Sequence, residues 1–231
     1  MATSTRNPLI LSMDVYLSTS MFRTEGWRLM KNAYAYCDHM WIEGYEVPLE
    51  RARSWNGGCV SSRDSFYKSS GYYHVEYQLK EGVSFIPENA FRGATFESFF
   101  IPDGITSIKN ECFRACVFNC NLNFPNSLTR ICKDAFYATK ISGAFCLPSN
   151  IKYIYSLPDS ELTKDEITIP EGAVRFCPEH VCTRHLHLPS TLHEFRARYQ
   201  HPVEDVINDI TIDPRNEVLT IGDGRLIKKK D

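Results

Sequence analysis

A motif of thirteen residues recurs at nearly even steps along the chain, and it constrains the fold more than any other feature. Each clear copy has apolar residues at positions 1, 5 and 8, a small residue at position 12 and Phe at position 13. The clear copies are 79–91, 101–113 and 124–136, and shorter copies begin at 147, 169 and 188. Because successive copies begin at steps of 22, 23, 23, 22 and 19 residues, the repeat predicts a solenoid.

The pattern apolar-Pro-x-x-apolar-x-x-Ile-x-x-x-(Ala/Cys)-Phe resembles the BspA-like leucine-rich repeat, over about residues 72–231. Cys116 stands three residues after Phe113, where that family often has a cysteine, and the segment 212–228 is similar to its closing segment. The copies at Leu147 and Ile169 depart from the pattern because they lack the small-Phe pair. The resemblance implies a β-rich leucine-rich-repeat solenoid with short parallel strands and about six to seven coils. It also implies protein binding, often adhesion at a cell surface.

Each coil is expected to carry a short strand that ends at the first residue of the motif, where a following proline usually stops the strand. Side chains alternate along a strand, so the first motif residue and the residue two before it face the core. The predicted inward residues are Tyr77, Leu79, Phe99, Ile101, Leu122, Phe124, Phe145, Leu147, Ile167, Ile169, Leu186, Leu188, Ile210 and Ile212.

The outward side chains of these strands form a predicted ladder, which is the usual binding surface of a solenoid. The alternative to a binding surface is a solvated polar face without a partner. Phe100 is interpreted either as an anchor for a partner or as a ring covered by the N-terminal segment. His185 is expected between Glu166 and Asp209, as a pH-sensitive contact or a metal site. The predicted partner-binding residues are Ser98, Phe100, Asn121, Asn123, Glu166, Thr168, His185, His187, Asp209 and Thr211.

Residues 1–71 do not show the repeat, and they are expected to form a small α+β segment before the solenoid at 72–231. Apolar residues at three- and four-residue steps predict an amphipathic helix over about 25–40. The stretch 40–47 predicts a hairpin around Glu43-Gly44, and the alternation from Tyr73 to Leu79 predicts the first solenoid strand. The segment is interpreted either as a cap that covers the end of the solenoid or as a separate module with its own partner.

Composition excludes several classes of protein. The net charge of −2 implies no large basic surface, so we expect no nucleic-acid partner. No run of about 18 apolar residues is present and no secretory signal is seen, so we expect no membrane insertion. The nine cysteines are odd in number and show no paired spacing, which favours reduced thiols and a cytoplasmic location. We also expect a monomer.

No motif for nucleophilic, acid–base or phosphate chemistry is present, so we expect a non-catalytic scaffold without catalytic residues or cofactor. One metal-ligand constellation stands out, because zinc binds cysteine and histidine, and these four lie within nine residues: Cys177, His180, Cys182 and His185. Its spacing is not that of a standard zinc finger, and the alternative is that these residues are turn and core positions of a shortened coil. The other functions left open are a structural or assembly protein and a metal-dependent module built on 177–187.

Overall fold

The computed structural model describes residues 8–17, 36–46, 70–160, 166–178, 183–196, 207–222 and 225–229. Within these ranges the chain forms strands joined by turns, and none of the described residues is helical. The strands are β1 (Ile10–Leu17), β2 (Cys37–Ile42), β3 (Tyr45–Glu46), β4 (Gly71–Leu79), β5 (Phe85–Ile86), β6 (Thr95–Phe100), β7 (Ser107–Ile108), β8 (Val117–Phe118), β9 (Leu122–Asn123), β10 (Arg130–Ile131), β11 (Lys140–Ile141), β12 (Phe145–Cys146), β13 (Tyr153–Ile154), β14 (Asp159–Ser160), β15 (Glu166–Thr168), β16 (Arg175–Phe176), β17 (Thr183–Leu188), β18 (Glu194–Phe195), β19 (Ile207–Ile212), β20 (Leu219–Gly222) and β21 (Arg225–Lys228).

Six two-residue strands stack in parallel along one side of the molecule and define the solenoid. The order β5-β7-β10-β13-β16-β18 gives six rungs, so five turns of chain separate β5 from β18. Neighbouring strands pair in register, with Ile86 opposite Ile108, Ile108 opposite Ile131 and Ile131 opposite Ile154. These four isoleucines occupy position 8 of the motif and are fully buried. The predicted β-rich leucine-rich-repeat solenoid with short parallel strands is confirmed.

Two other sides complete the coils. On the second side, β6, β8, β11 and β14 pair in parallel. On the third side, the strands that precede the prolines pair in two parallel groups, β9 with β12 and β15-β17-β19. Each predicted inward residue of the third side and of β4 is buried or half-buried, which confirms the alternation expected from the sequence.

Strand β1 lies between β4 and β6 and is antiparallel to both. The segment Tyr73–Leu79, expected to be the first solenoid strand, therefore pairs with β1 and β2 instead of with β6. Together these strands extend the second side into an eight-stranded sheet of order β14-β11-β8-β6-β1-β4-β2-β3. The described N-terminal residues thus share one sheet with the solenoid.

The helix predicted over about 25–40 is wrong at its C-terminal end, because residues 37–42 form strand β2. Residues 25–35 of that prediction lie outside the described residues. The predicted hairpin is confirmed, with Ile42 opposite Tyr45. Glu43 and Gly44 both have positive φ, at 50° and 77°, as the two central residues of a tight hairpin turn require.

Stacked phenylalanines form the centre of the core. The rings of Phe91 and Phe113 lie 5.5 Å apart at 11°, and those of Phe113 and Phe136 lie 5.2 Å apart at 17°. All three belong to position 13 of the motif, so each coil places one ring on the ring of the next. Cys116 lies beside this stack and its thiol donates to the carbonyl oxygen of Phe91 at 2.8 Å. Burial raises the pKa of the Cys116 thiol to about 12, so it remains protonated.

The turns that return the chain across the core contain two left-handed residues per coil. The first precedes the small residue of the motif, and the second lies four residues later. The first set is Asn89, Glu111 and Asp134, and the second is Gly93, Ala115 and Ala138, with φ between 52° and 77°. Backbone hydrogen bonds join equivalent turns of successive coils, as from the N–H of Ala115 to the carbonyl of Tyr137 at 2.8 Å.

Candidate binding site on the strand face

The outward side chains of the third-side strands and of the end of β6 form the surface that we call the strand face. It contains the predicted residues Phe100, Asn121, Asn123, Glu166, Thr168, His185, His187, Asp209 and Thr211, with Ala144 and Cys146 between them. In the C-terminal group the pairing follows the expected ladder, with His185 opposite both Glu166 and Asp209. His187 likewise lies opposite Thr168 and Thr211.

Two of the predicted residues make contacts that hold the fold together. Ser98 is half-buried and faces β1, where its hydroxyl donates to the carboxylate of Asp14 at 2.7 Å. Asn121 uses its side-chain oxygen to accept a hydrogen bond from the backbone N–H of Ala144 at 2.9 Å. Gly143 lies against the same segment, because a Cβ there would meet the Asn121 backbone nitrogen at 2.6 Å.

Phe100 is the most exposed large hydrophobic side chain among the described residues, at 60%. It lies on β6 opposite Ser12 of β1, at the N-terminal end of the strand face. The described part of the N-terminal segment therefore leaves most of this ring accessible. An exposed aromatic ring of this kind is typical of binding anchors at protein interfaces.

The histidines of β17 contact acidic and hydroxyl groups on both neighbouring strands. The Nδ1 atom of His185 lies 3.4 Å from the carboxylate of Asp209, and the Nε2 atom of His187 lies 3.4 Å from that of Glu166. His187 also forms a hydrogen bond with the hydroxyl of Thr211. All four ionisable side chains are at least two-fifths exposed, so these contacts are screened by solvent and contribute little to stability.

An open groove of about 320 Å³ lies where these three strands end. Its floor is formed by the ends of the strands, including Thr168, His187 and Thr211, and its rim by the turns that follow, including Glu171 and Asp213. Arg215 bridges the rim, since one terminal nitrogen lies 3.2 Å from Glu171 and 2.7 Å from Asp213. The hydrogen bond from Arg215 lowers the pKa of Asp213 to about 2, so this carboxylate is charged at any physiological pH. The groove thus offers hydroxyl, imidazole and carboxylate groups to a polar partner.

The candidate zinc residues are separated by the fold as far as it is described. Cys177 follows β16 on the six-stranded side and is half-buried, whereas His185 lies on β17 of the strand face. His180 and Cys182 lie outside the described residues. Within the described ranges no group of three or more His, Cys, Asp or Glu side chains is placed to hold a metal ion.

A polar cluster on the N-terminal strands was not predicted. The Nδ1 atom of His74 lies 2.9 Å from the carboxylate of Asp14, and its Nε2 atom lies 3.4 Å from the hydroxyl of Ser12. The order Ser12, His74 and Asp14 is that of a hydrolytic triad. A hydrolase also needs free backbone N–H groups beside the serine to bind the oxyanion of the intermediate. Ser12 lies in a strand that is paired on both sides, so the neighbouring N–H groups are already used in the hydrogen bonds of the sheet. The alternation of Leu11, Met13, Val15 and Leu17 was the sequence signal that identifies this strand.

The fold and the exposed strand face define a repeat scaffold of the leucine-rich-repeat class. The chain belongs to the family described as BspA type leucine rich repeat region, whose sequence model matches six copies over residues 62–177. Members of such a family are repeat scaffolds that often serve in protein interaction. No curated protein and no solved structure matches the chain. Among the described residues, no helix is long and apolar enough to cross a membrane.

Proposed function

We propose that the protein is a non-catalytic scaffold that binds a protein partner through the strand face. The observation that carries this proposal is the in-register ladder of β15, β17 and β19, which ends in the open groove. Parallel strands space equivalent side chains about 4.8 Å apart, so Thr168, His187 and Thr211 form a regular row of hydrogen-bonding groups. A partner segment laid along that row contacts three coils at once.

The exposed ring of Phe100 gives the other end of the strand face an apolar anchor. Interfaces typically combine a buried aromatic anchor with a polar rim. The distribution of side chains along the strand face fits that scheme, with Phe100 at one end and the acidic groove at the other. Asn121 and Ser98 are supporting residues in this proposal, because both already bond within the chain.

We propose that the N-terminal segment 1–71 is a cap and that the protein is a cytoplasmic monomer. The cap is supported by β1, which pairs with β6 and buries Leu11, Met13 and Val15 in the common core. Reduced thiols are supported by Cys112 and Cys116, which fill core positions, and such thiols suit a reducing compartment. Light scattering of the purified protein at high concentration tests the monomer, since the alternative assembly role requires larger species.

The experiment for the strand face is an affinity capture with three forms of the full chain. The first is unchanged, the second carries Thr168→Ala, His187→Ala and Thr211→Ala, and the third carries Lys140→Ala and Ser142→Ala on the exposed second side. A partner retained by the first and third forms and lost by the second supports the proposal. Equal capture by all three forms contradicts it. Thermal melting of each form verifies that the substitutions leave the fold intact.

A further inference from the structure

The outer side of the six-stranded sheet carries a staggered row of cationic side chains. Arg130 and Arg175 share one register position, and the other cations lie one or two residues before or after it on their own rungs. Five consecutive rungs each contribute one cation, in or directly beside β7, β10, β13, β16 and β18. We call these five residues the basic ladder: Lys109, Arg130, Lys152, Arg175 and Arg196. The row is a local feature, because the chain as a whole has a net charge of −2.

Aromatic rings hold two of these cations in place. The ammonium of Lys109 lies 4.8 Å from the ring centroid of Phe85, and the guanidinium of Arg130 lies 4.2 Å from that of Tyr153. A cation–π contact restrains the side chain without using the N–H donors at the edge of a guanidinium. Restraint before binding reduces the entropy that a ligand must overcome.

The end of the row already binds a carboxylate. Each carboxylate oxygen of Glu194 pairs with a different arginine. Its Oε2 atom lies 3.0 Å from Nε of Arg175, and its Oε1 atom lies 2.9 Å from Nε of Arg196. Arg196 has a side chain 76% exposed, and its contact through Nε leaves its terminal nitrogens for another acceptor. The chemistry that this surface recognises within the chain is therefore that of a carboxylate.

The other carboxylates near this surface form ion pairs with cations outside the basic ladder. Glu111 pairs with Arg92 at 3.2 Å and with Arg114 at 3.3 Å, and Asp134 lies 3.3 Å from Lys133. Across the described ranges, no acidic side chain comes within ion-pair distance of Lys109, Arg130 or Lys152. Within the described ranges, Glu194 is thus the single carboxylate that pairs with the basic ladder. Five positive charges therefore face one negative charge, which leaves the surface with an excess of positive charge.

We propose that the basic ladder is a second binding surface, which takes an extended acidic peptide segment rich in Asp and Glu. Four rung steps separate Lys109 from Arg196, a length of about 19 Å at about 4.8 Å per strand. An extended chain of about six residues covers that length. The guanidinium groups suit this ligand because they bind carboxylates with two parallel hydrogen bonds.

A short peptide fits these observations better than a nucleic acid. A long polyanion extends beyond the basic ladder and is repelled by the negative charge of the rest of the chain. A segment of about six residues contacts the basic ladder alone and avoids this repulsion. The surface lies on another side of the solenoid from the strand face, so it goes beyond the function proposed above. Both surfaces are available to separate partners at the same time.

The test is fluorescence anisotropy with the full chain and three labelled probes at low and high salt. The probes are an eight-residue peptide of alternating Glu and Asp, its Gln/Asn counterpart and a single-stranded thymidine octamer. The expected result is binding of the acidic peptide alone, weakened at least tenfold between about 50 and 500 mM salt because exposed charges are screened. Failure of the acidic peptide to bind at low salt, or tighter binding of the octamer, overturns the proposal.

Matched variants locate the site. Arg130→Gln with Arg175→Gln is expected to weaken acidic-peptide binding at least tenfold, while Arg92→Gln with Lys140→Gln removes the same charge elsewhere and is expected to change it less than threefold. Glu194→Gln is expected to tighten binding at least threefold, because it releases Arg175 and Arg196 from the internal carboxylate. Equal weakening by both double variants, or no tightening by Glu194→Gln, overturns the proposal. The triple strand-face variant is expected to bind the peptide normally, so this result is independent of the strand-face proposal.

Discussion

The carboxylate of Asp14 accepts a 2.7 Å hydrogen bond from the hydroxyl of Ser98, and this bond joins strand β1 to the first strand on the second side of the solenoid. The backbone N–H of Asp14 donates to the same hydroxyl at 3.1 Å, beside a register shift between Asp14 and Val15. The other carboxylate oxygen lies 2.9 Å from Nδ1 of His74 on β4. One acidic side chain thus links three strands of the eight-stranded sheet.

Asp14→Asn is expected to change the pH dependence of stability. The hydrogen bond from Ser98 lowers the pKa of Asp14, and the hydrogen bond to Asp14 raises the pKa of His74. The Asp14 contribution is present above its ordinary value of 3.8 and is lost as pH falls through its lowered pKa. The His74 contribution is present below its ordinary value of 6.5 and is lost as pH rises through its raised pKa. Both side chains are more than two-fifths exposed, so solvent screening limits the pair to under about 1 kcal/mol.

The measurement is an NMR titration of Asp14 and His74 together with urea unfolding between about pH 2 and pH 9, a range that covers both titrations. Asp14→Asn is expected to move the His74 pKa back towards its ordinary value, though not fully, because Glu76 remains 3.7 Å away. Ser98→Ala is the control, since it removes the hydroxyl and keeps the charge, and is expected to raise the pKa of Asp14 while that of His74 stays raised. An unchanged His74 pKa in Asp14→Asn contradicts the proposed coupling.

Phe113→Ala is expected to destabilise the protein by about 3–5 kcal/mol, as truncation of a fully buried phenylalanine typically does. The ring has no solvent exposure and stacks between Phe91 and Phe136. Phe100→Ala is the matched control, because that ring is 60% exposed and its loss is expected to cost under about 0.5 kcal/mol. Urea unfolding at equilibrium measures both values. Similar losses of stability for the two variants are incompatible with the assigned motif register.

Ala115→Gly is expected to stabilise the protein by about 0.5–1 kcal/mol, because the left-handed backbone strain at an alanine exceeds the entropic cost of glycine. Ala115 has φ of 56° and is exposed, and the preceding coil has Gly93 at the equivalent position with φ of 77°. Gly93→Ala is the reciprocal change and is expected to destabilise the protein by a similar amount. No atom lies within 4 Å of the added Cβ, so its effect comes from left-handed backbone strain and not from a steric clash. Thermal melting measures the change in stability of both variants. If both variants are stabilised or both are destabilised, the assigned turn geometry is contradicted.

The sequence predicted the third side of the solenoid well, because alternation and proline together determine the strand register. The pairing of His185 with Glu166 and Asp209 follows from motif spacing alone, and it is present as expected. The six-stranded sheet was not predicted, because its strands have two residues each and are too short to show alternation. The basic ladder on that sheet was missed for the same reason.

The N-terminal strands show two other limits of sequence reasoning. Strand β1 pairs with β4 from Leu17 opposite Gly71 to Ile10 opposite Gln78, more than 50 positions away along the chain, and no local pattern specifies so distant a partner. Cys37 and Met40 are three residues apart and suggested one face of a helix, but both are buried on strand β2. A register shift between Cys37 and His39 brings them to the same face of the sheet. A bulged strand can therefore imitate helical spacing over a few residues.

Asn216→Ala is expected to destabilise the protein by about 2–4 kcal/mol, because it leaves buried backbone groups without hydrogen-bond partners. The side chain is 1% exposed, and its amide nitrogen donates to the carbonyls of Pro189 and Leu192, both at 2.9 Å. Its oxygen accepts from the backbone N–H groups of Val218 and Leu219 at 2.9 and 2.7 Å. One amide thus joins the closing segment of the chain to the turn of the preceding coil.

Equilibrium unfolding in urea measures this loss, with Asn123→Ala as the matched control. Asn123 is exposed on the strand face, and its loss is expected to change stability by under about 0.5 kcal/mol. Asn216→Asp keeps the shape and the acceptor but replaces both donors with a buried charge, so it is expected to destabilise at least as much as Asn216→Ala. A stable Asn216→Asp variant would show that the two carbonyls of the preceding turn do not depend on this amide.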